Sequence, residues 1–295
     1  MSSRRHYSPL PRPHVLEPAP KIFYNLHTLY LFIKSDVVGI LLPIVIFATL
    51  STRHISLTRI LQSSTWTAVH LLQFCVSNQS LSPEEDRKNK PWRPIPAGRV
   101  TVTSAYTLRW SLIPVCLALS TMYGVLDVSL ILTSLIFLHN EAKHGKNWLA
   151  RSFLNAAAYA TFDAGATLIS CGDRQEFNAN KIFPVIVNAF IILTTIHAQD
   201  FRDEEGDRHE GRRTIPIVAP WISRVTMPIL LLSWSLLITA RVAPVLVDWF
   251  ILLLGWVVGV RFYYLRTRSA DDTSYALYNI WLLSIRVLLC FSRSY

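Results

Sequence analysis

The chain has 295 residues, 51% of them hydrophobic and only 16% charged, with a formal net charge of +10. A soluble domain usually carries about a quarter charged residues, so these figures, with a mean hydropathy of +0.32, exclude an ordinary soluble globular protein. The apolar excess is gathered into runs, the mark of a polytopic membrane protein.

In chain order, residues 1–22 hold Arg4, Arg5, Arg12 and several prolines but no apolar core. The expectation is a disordered basic cytosolic arm, with no cleaved signal peptide. Residues 23–34, FYNLHTLYLFIK, mix aromatic and aliphatic side chains with His27 and Lys34, as an interfacial helix does. Apolar runs follow at 36–50, 63–78, 101–122, 125–139, 149–170, 182–199, 225–240, 243–262 and 274–291. The expected fold is therefore all-α, a single nine-helix transmembrane domain over residues 23–295. The runs 63–78 and 125–139 are short against the roughly 20 residues that cross a bilayer.

With the amino terminus inside, 21 Lys and Arg fall on the inner side and six on the outer. That split predicts a multi-pass protein with a cytosolic amino terminus, and the endoplasmic reticulum is the expected host membrane. The positive charge is thereby accounted for by topology, with no basic patch left over for nucleic acid. The oligomeric state is left open. Cys75, Cys116, Cys171 and Cys290 form no C-x-x-C pair and read as small packing residues.

Two acidic clusters end on the inner side. The second, QDFRDEEGDRHEGRR at 199–213, spaces Asp200, Asp203 and Asp207 at i, i+3 and i+7, on one helical face. Stacked carboxylates repel unless a cation lies between them; Mg²⁺, which takes carboxylate, water and phosphate oxygens, suits them. The first, NQSLSPEEDRKNKPWRPIPAGRVT at 78–101, offers Asn78, Glu84, Glu85 and Asp86 beside Arg87, Lys88, Lys90, Arg93 and Arg99. Ser82-Pro83-Glu84-Glu85 also matches a helix start with a capping box, and Pro83 argues against one helix running from Asn78 to Asp86. Glu85 is thus a cap, a ligand or neither.

The second cluster with its GRRTIP tail (Gly211 onward) resembles the second aspartate-rich motif of the UbiA superfamily of intramembrane prenyltransferases, and RPIPAGRVT at 93–101 resembles the segment that follows its first. The resemblance covers the chain from about residue 23. It implies nine transmembrane helices around a central cavity, where both motifs hold Mg²⁺ and a prenyl diphosphate beneath a cytosolic cap. The first motif departs from the family's N-x-x-x-D-x-x-x-D pattern, with Ser82 where the first Asp belongs. The N-Q…S-x-x-E-D-x-x-N-K-P-W-R-P-I-P combination, and FDAGAT at 162–167, are similar to the fungal branch, which includes membrane terpene cyclases.

On this resemblance Asn78, Glu85, Asp86, Asp200, Asp203 and Asp207 are the expected metal ligands. Lys88, Lys90, Arg93, Arg99, Arg212 and Arg213 are the expected diphosphate contacts. An allylic cation needs a dry cavity with aromatic faces; the candidates are Trp66, Phe74, Tyr106, Trp110, Phe153, Tyr159 and Phe162. Asp163, inside a span, is either a base or anchor in the cavity or the partner of Arg109 or Arg286. His197, on the Asp200 face, either supports a metal ligand from behind or is a base. The expected activity is a Mg²⁺-dependent cyclase acting on farnesyl or geranylgeranyl diphosphate. Transfer of the prenyl group to an aromatic or other acceptor is the first alternative, and a cation-coupled transporter the second.

Overall fold

The computed structural model describes residues 21–174, 177–240 and 245–291, and these are helical almost throughout. Among the described residues there is no β-strand, only an isolated bridge between Asn147 and Arg213. The expected basic arm falls, apart from residues 21–22, outside the described residues.

Helix α1 (Lys21–Ile33) turns into a short π-helical segment (Val37–Leu41) and α2 (Leu42–Leu50), a bend of 66°. It buries Thr28, Leu31 and Phe32 and leaves Ile22, Phe23, Leu26 and Tyr30 exposed. There follow α3 (Leu57–Leu81), α4 (Pro83–Asn89), α5 (Val102–Met122), α6 (Leu126–Asn140) and α7 (Trp148–Cys171). The remainder is α8 (Ala179–Thr195), α9 (Asp200–His209), α10 (Ile215–Val218), α11 (Pro220–Thr239), α12 (Val245–Tyr264) and α13 (Arg268–Phe291).

Helix α3 has 25 residues, well beyond the 63–78 expected from hydropathy. At its C-terminal end the extension is polar but buried, through Gln79 and Ser80, and Ser63, Thr67, His70, Gln73 and Ser77 are buried along the helix, whereas Thr58 and Arg59 in its first turn are exposed. His70 illustrates how the buried ones are satisfied, one ring nitrogen lying 2.8 Å from the Trp66 carbonyl oxygen and the other 2.7 Å from Ser129 Oγ on α6. Buried polar groups held this way are tolerated inside a bundle, and they lower hydropathy without ending the helix. Helix α7 starts where Asn147 Oδ1 accepts the N–H groups of Leu149 and Ala150. It stops at Gly172, whose φ of +77° side chains rarely adopt.

Five described helices are long and apolar enough to cross a membrane, six if the bent α1–α2 pair counts as one span. The protein is an integral, multi-pass membrane protein. The apolar part of the 31-residue stretch Ala179–His209 is α8, and α9 projects beyond it as a polar helix.

Two apolar clusters fill the bundle. One joins α1, α2, α3, α5, α6 and the later part of α7 around Trp66, Leu71 and Phe162; the other joins α8, α9 and α11–α13 around Tyr278, Trp281 and Phe262. Helix α7 contributes to both. Charged pairs pin the helices where lipid or core would otherwise surround a lone charge. Arg224 on α11 grips Asp271 on α13 at 2.5 and 2.9 Å, Arg109 pairs with Glu141, and Arg286 pairs with Asp163.

Candidate functional site

The chain breaks between α3 and α4 at Ser82-Pro83, so Asn78 and Asp86 lie on different helices, as Pro83 predicts. The expected capping box is absent: Ser82 makes no side-chain cap bond, and Glu85 turns instead to Arg212 at 2.6 Å. Helix α4 packs on α9, which brings the two acidic segments together at one end of the bundle.

Three contacts lock them, through Lys90, Arg212 and Asn89. Lys90 Nζ reaches both carboxylate oxygens of Asp203, at 3.0 and 2.8 Å. Arg212 lies between Glu85 and Asp207, at 2.6 and 3.1 Å. Asn89 Nδ2 donates to the Asp203 carbonyl oxygen at 3.3 Å, and Arg268 Nη2 donates to the Asn89 carbonyl oxygen at 2.8 Å. Gly206 is small for this reason. A Cβ there would stand 2.1 Å from Asn89 Nδ2, closer than any nonbonded contact allows.

The remaining acids are paired too. Asp86 accepts from Arg93 at 2.6 Å, and Asp200 accepts from Arg151 at 3.1 Å. Burial pushes the Asp86, Asp200 and Asp207 carboxyls up from the usual carboxylate range, with the neighbouring arginines only partly opposing it. Asp203 goes the other way: burial would raise it, but Lys90 and then Arg202 hold it down at about 2.

A cavity opens beneath this cluster. Its wall includes Asn78, Glu85, Lys90, Arg93, Asp203 and Arg212 from the expected site, with Phe74 and Tyr159 deeper in. Asp86, Asp200 and Asp207 stand one layer back, each behind a base that does line it. Arg151, Asp36, Gln199 and His139 also line it and were not singled out from sequence. Arg151 sits in the first turn of α7, and that charge at the start of an apolar run was the available signal.

Other expected residues are elsewhere. Lys88 and Arg213 are exposed, and neither lines the cavity. Arg99 donates to Thr28 Oγ1 and the Tyr24 carbonyl oxygen and stacks on the Tyr24 ring at 4.1 Å, so it anchors α1. Tyr106, Trp110 and Phe153 are exposed on the outer surface. Trp66 and Phe162 pack edge to face in the core. Asp163 is wholly buried against Arg286, with Asn188 Nδ2 at 3.5 Å; its environment is the helix-pairing alternative. His197 is buried against Phe201, and none of Phe162, Asp163 and His197 lines the cavity.

The donor set fits Mg²⁺ in a particular way. The available ligand atoms are oxygens, and Asp86 Oδ2 and Asp207 Oδ2 are buried without a hydrogen-bond partner. Among the described residues, however, no three His, Cys, Asp or Glu side chains converge to hold a metal by themselves. Such a site suits an ion that keeps waters and shares a substrate's phosphate oxygens, which is the habit of Mg²⁺, rather than a closed protein cage.

With this arrangement, the profile of the UbiA prenyltransferase family matches residues 40–283. The chain belongs to the UbiA prenyltransferase family. It is 30% identical over 273 residues to fumagillin beta-trans-bergamotene synthase of Aspergillus fumigatus, an alignment covering 91% of this chain and 93% of the relative. It is 31% identical over 208 residues to somaliensene A/B synthase of Streptomyces somaliensis, covering 67% of each. In fold it is similar to a UbiA homologue from Archaeoglobus fulgidus bound to GPP and Mg²⁺, with a TM-score of 0.61 and 13% identity over 89% of this chain and 99% of the other. This UbiA protein is an enzyme acting on prenyl diphosphates, which leaves the transporter alternative without support.

Proposed function

We propose that this protein is a Mg²⁺-dependent terpene cyclase, which ionises farnesyl or geranylgeranyl diphosphate and cyclises the resulting cation. One observation carries the reading. The two acidic segments interlock through Lys90–Asp203 and Glu85–Arg212–Asp207 at the mouth of a cavity whose inner wall carries Phe74 and Tyr159. Near-complete overlap with a relative named as a terpene synthase supports cyclisation over transfer.

In this account Lys90, Arg93 and Arg212 take the diphosphate, with Arg151 beside them, because these bases line the cavity. Lys88, Arg99 and Arg213 are withdrawn from that role. Asn78, Glu85, Asp86, Asp200, Asp203 and Asp207 are the oxygens that would hold Mg²⁺. When bound, that ion would neutralise charge developing on the leaving diphosphate. The residues' own work is to aim donors at the diphosphate before reaction, so that little reorganisation is needed as the allylic C–O bond breaks. Below them Phe74 and Tyr159 line the cavity, and their rings would stabilise the cation. We place the acidic end on the cytosolic side, on the charge distribution of the chain, and nine helices in the membrane, on its apolar runs, with the endoplasmic reticulum as the proposed host membrane.

Transfer to an acceptor is the second reading, since Asn155 Nδ2 is buried without a partner on a residue lining the same cavity and could orient a hydroxyl. The two are separated by incubating membranes bearing the protein with Mg²⁺ and farnesyl or geranylgeranyl diphosphate, with no acceptor. Cyclic products are expected. Turnover that starts only on addition of a phenol or aromatic acid would leave transfer.

A further inference from the structure

A cyclised carbocation becomes a neutral alkene only when a base removes a neighbouring proton. His197, a sequence candidate for that task, does not line the cavity. His139, in the last turn of α6, does. It is 7% exposed, and its ring meets the edge of Phe74 with centroids 5.5 Å apart.

The hydrogen-bond network fixes which nitrogen of His139 carries the proton. Asn140 Nδ2 lies 3.3 Å from the Phe74 carbonyl oxygen, an atom that only accepts, so the amide nitrogen of Asn140 must face it. Asn140 Oδ1 is then the acceptor on the other side, receiving Asn78 Nδ2 at 3.3 Å. His139 Nδ1 lies 2.8 Å from that same oxygen and must donate to it. In the neutral ring, Nε2 is consequently left with its lone pair, and it is buried with no hydrogen-bond partner.

We infer that His139 is the base that ends the cyclisation, its Nε2 taking the proton from the carbon next to the cationic centre. This deepens the cyclase reading and rests on it. The C–H electron pair becomes the new double bond, and His139 becomes an imidazolium. Its proton then passes to an oxygen of the departing diphosphate, which returns the ring to neutrality and balances the reaction as alkene plus hydrogen diphosphate. Two other uses of Nε2 suit it less. Without a proton it offers nothing to an anionic phosphate oxygen, and Mg²⁺ prefers oxygen ligands.

The ring is held in place from one side by Gly145, where a Cβ would come within 2.7 to 2.9 Å of three His139 ring atoms. Gly145 lacks a positive φ, so the backbone accepts alanine there, and Gly145→Ala moves the imidazole without altering it.

The test compares membranes bearing wild type, His139→Gln and Gly145→Ala, supplied with Mg²⁺ and farnesyl or geranylgeranyl diphosphate. Diphosphate release and the product mixture are measured together. For His139→Gln, diphosphate release is expected to fall far less than hydrocarbon formation. Its hydrocarbon yield falls by about a hundredfold, the lower range for loss of a general base, with water-captured alcohols in its place. Gly145→Ala should shift the mixture the same way to a smaller extent, and it remains informative if the glutamine variant does not fold. An unchanged mixture in the variants that fold overturns the inference, the diphosphate itself then being the base. Equal loss of release and hydrocarbon in both variants overturns it too, as does a wild-type product consisting only of alcohol. A wild type that forms no cyclic product without an acceptor removes the cyclase reading instead.

Discussion

Lys90 Nζ contacts both carboxylate oxygens of Asp203, at 3.0 and 2.8 Å, across the join between the two acidic segments. A lysine thus occupies the position that a metal ion needs on this carboxylate. In the ligand-free protein the base is the counterion that keeps Asp203 ionised, and on the proposed reading Asp203 would have to leave Lys90 to hold Mg²⁺. Replacing Lys90 by Met is therefore expected to lower the Mg²⁺ concentration giving half-maximal activity. It should also lower kcat, because a diphosphate donor is gone. Titration of activity against Mg²⁺ reads both, and an unchanged or higher Mg²⁺ midpoint would contradict displacement of the lysine.

Arg212 is the shared partner of two buried acids, Glu85 and Asp207, whose side chains are 7% and 0% exposed. Removing one partner of a buried pair leaves an uncompensated charge, at a cost of about 3–5 kcal/mol. Arg212→Ala should unfold several degrees below wild type in detergent, and Arg212→Lys should recover part of the loss. A melting temperature for Arg212→Ala equal to that of wild type would show that these acids need no counterion.

The Asp163–Arg286 pair gives a test of structure against chemistry. Both residues are fully buried, so either single change, Asp163→Leu or Arg286→Met, should destabilise the protein by about 3–5 kcal/mol. The double variant removes both charges and should regain most of that stability together with activity. A stable double variant with no activity would return Asp163 to the catalytic role it was a candidate for.

Gly206→Ala probes how the second acidic helix is seated. The added methyl would displace the Asn89 amide, which holds the Asp203 backbone and in turn Arg268. Overpacking of this kind costs about 1–3 kcal/mol. Activity should fall more than stability, because the displaced amide is the group that positions Asp203. Equal activity in the folded variant would show that Asn89 plays no part in placing the acid.

The sequence made the two acidic segments legible because their chemistry is local. The spacing of Asp200, Asp203 and Asp207 defines one helical face, and all three side chains do turn inward. Pro83 likewise announced the break between α3 and α4. Pairings were not legible, since they depend on how distant helices pack. Arg109 and Arg286 were equal candidates for Asp163, and only the bundle assigns Arg109 to Glu141 and Arg286 to Asp163. Arg99 looked like one more base in a basic segment, yet its backbone position turns it onto Tyr24. The C-terminal extent of α3 was hidden for a related reason: Gln79 and Ser80, which find partners in the bundle, look in a hydropathy profile like the end of a span. His139 gave no signal at all, because its significance lies in Asn140, Phe74 and Asn78 around it.

The central claim is that oxygen donors from both segments bring Mg²⁺ to a prenyl diphosphate at the mouth of the cavity. Its most direct test is Mg²⁺-dependent diphosphate release from farnesyl or geranylgeranyl diphosphate, comparing wild-type membranes with an Asp203→Ala variant and a triple alanine variant at Asp200, Asp203 and Asp207. Release is expected to stop when Mg²⁺ is chelated, to fall at least about a hundredfold in Asp203→Ala and to vanish in the triple variant. Release by the triple variant at the wild-type rate, or release indifferent to chelation, would contradict it.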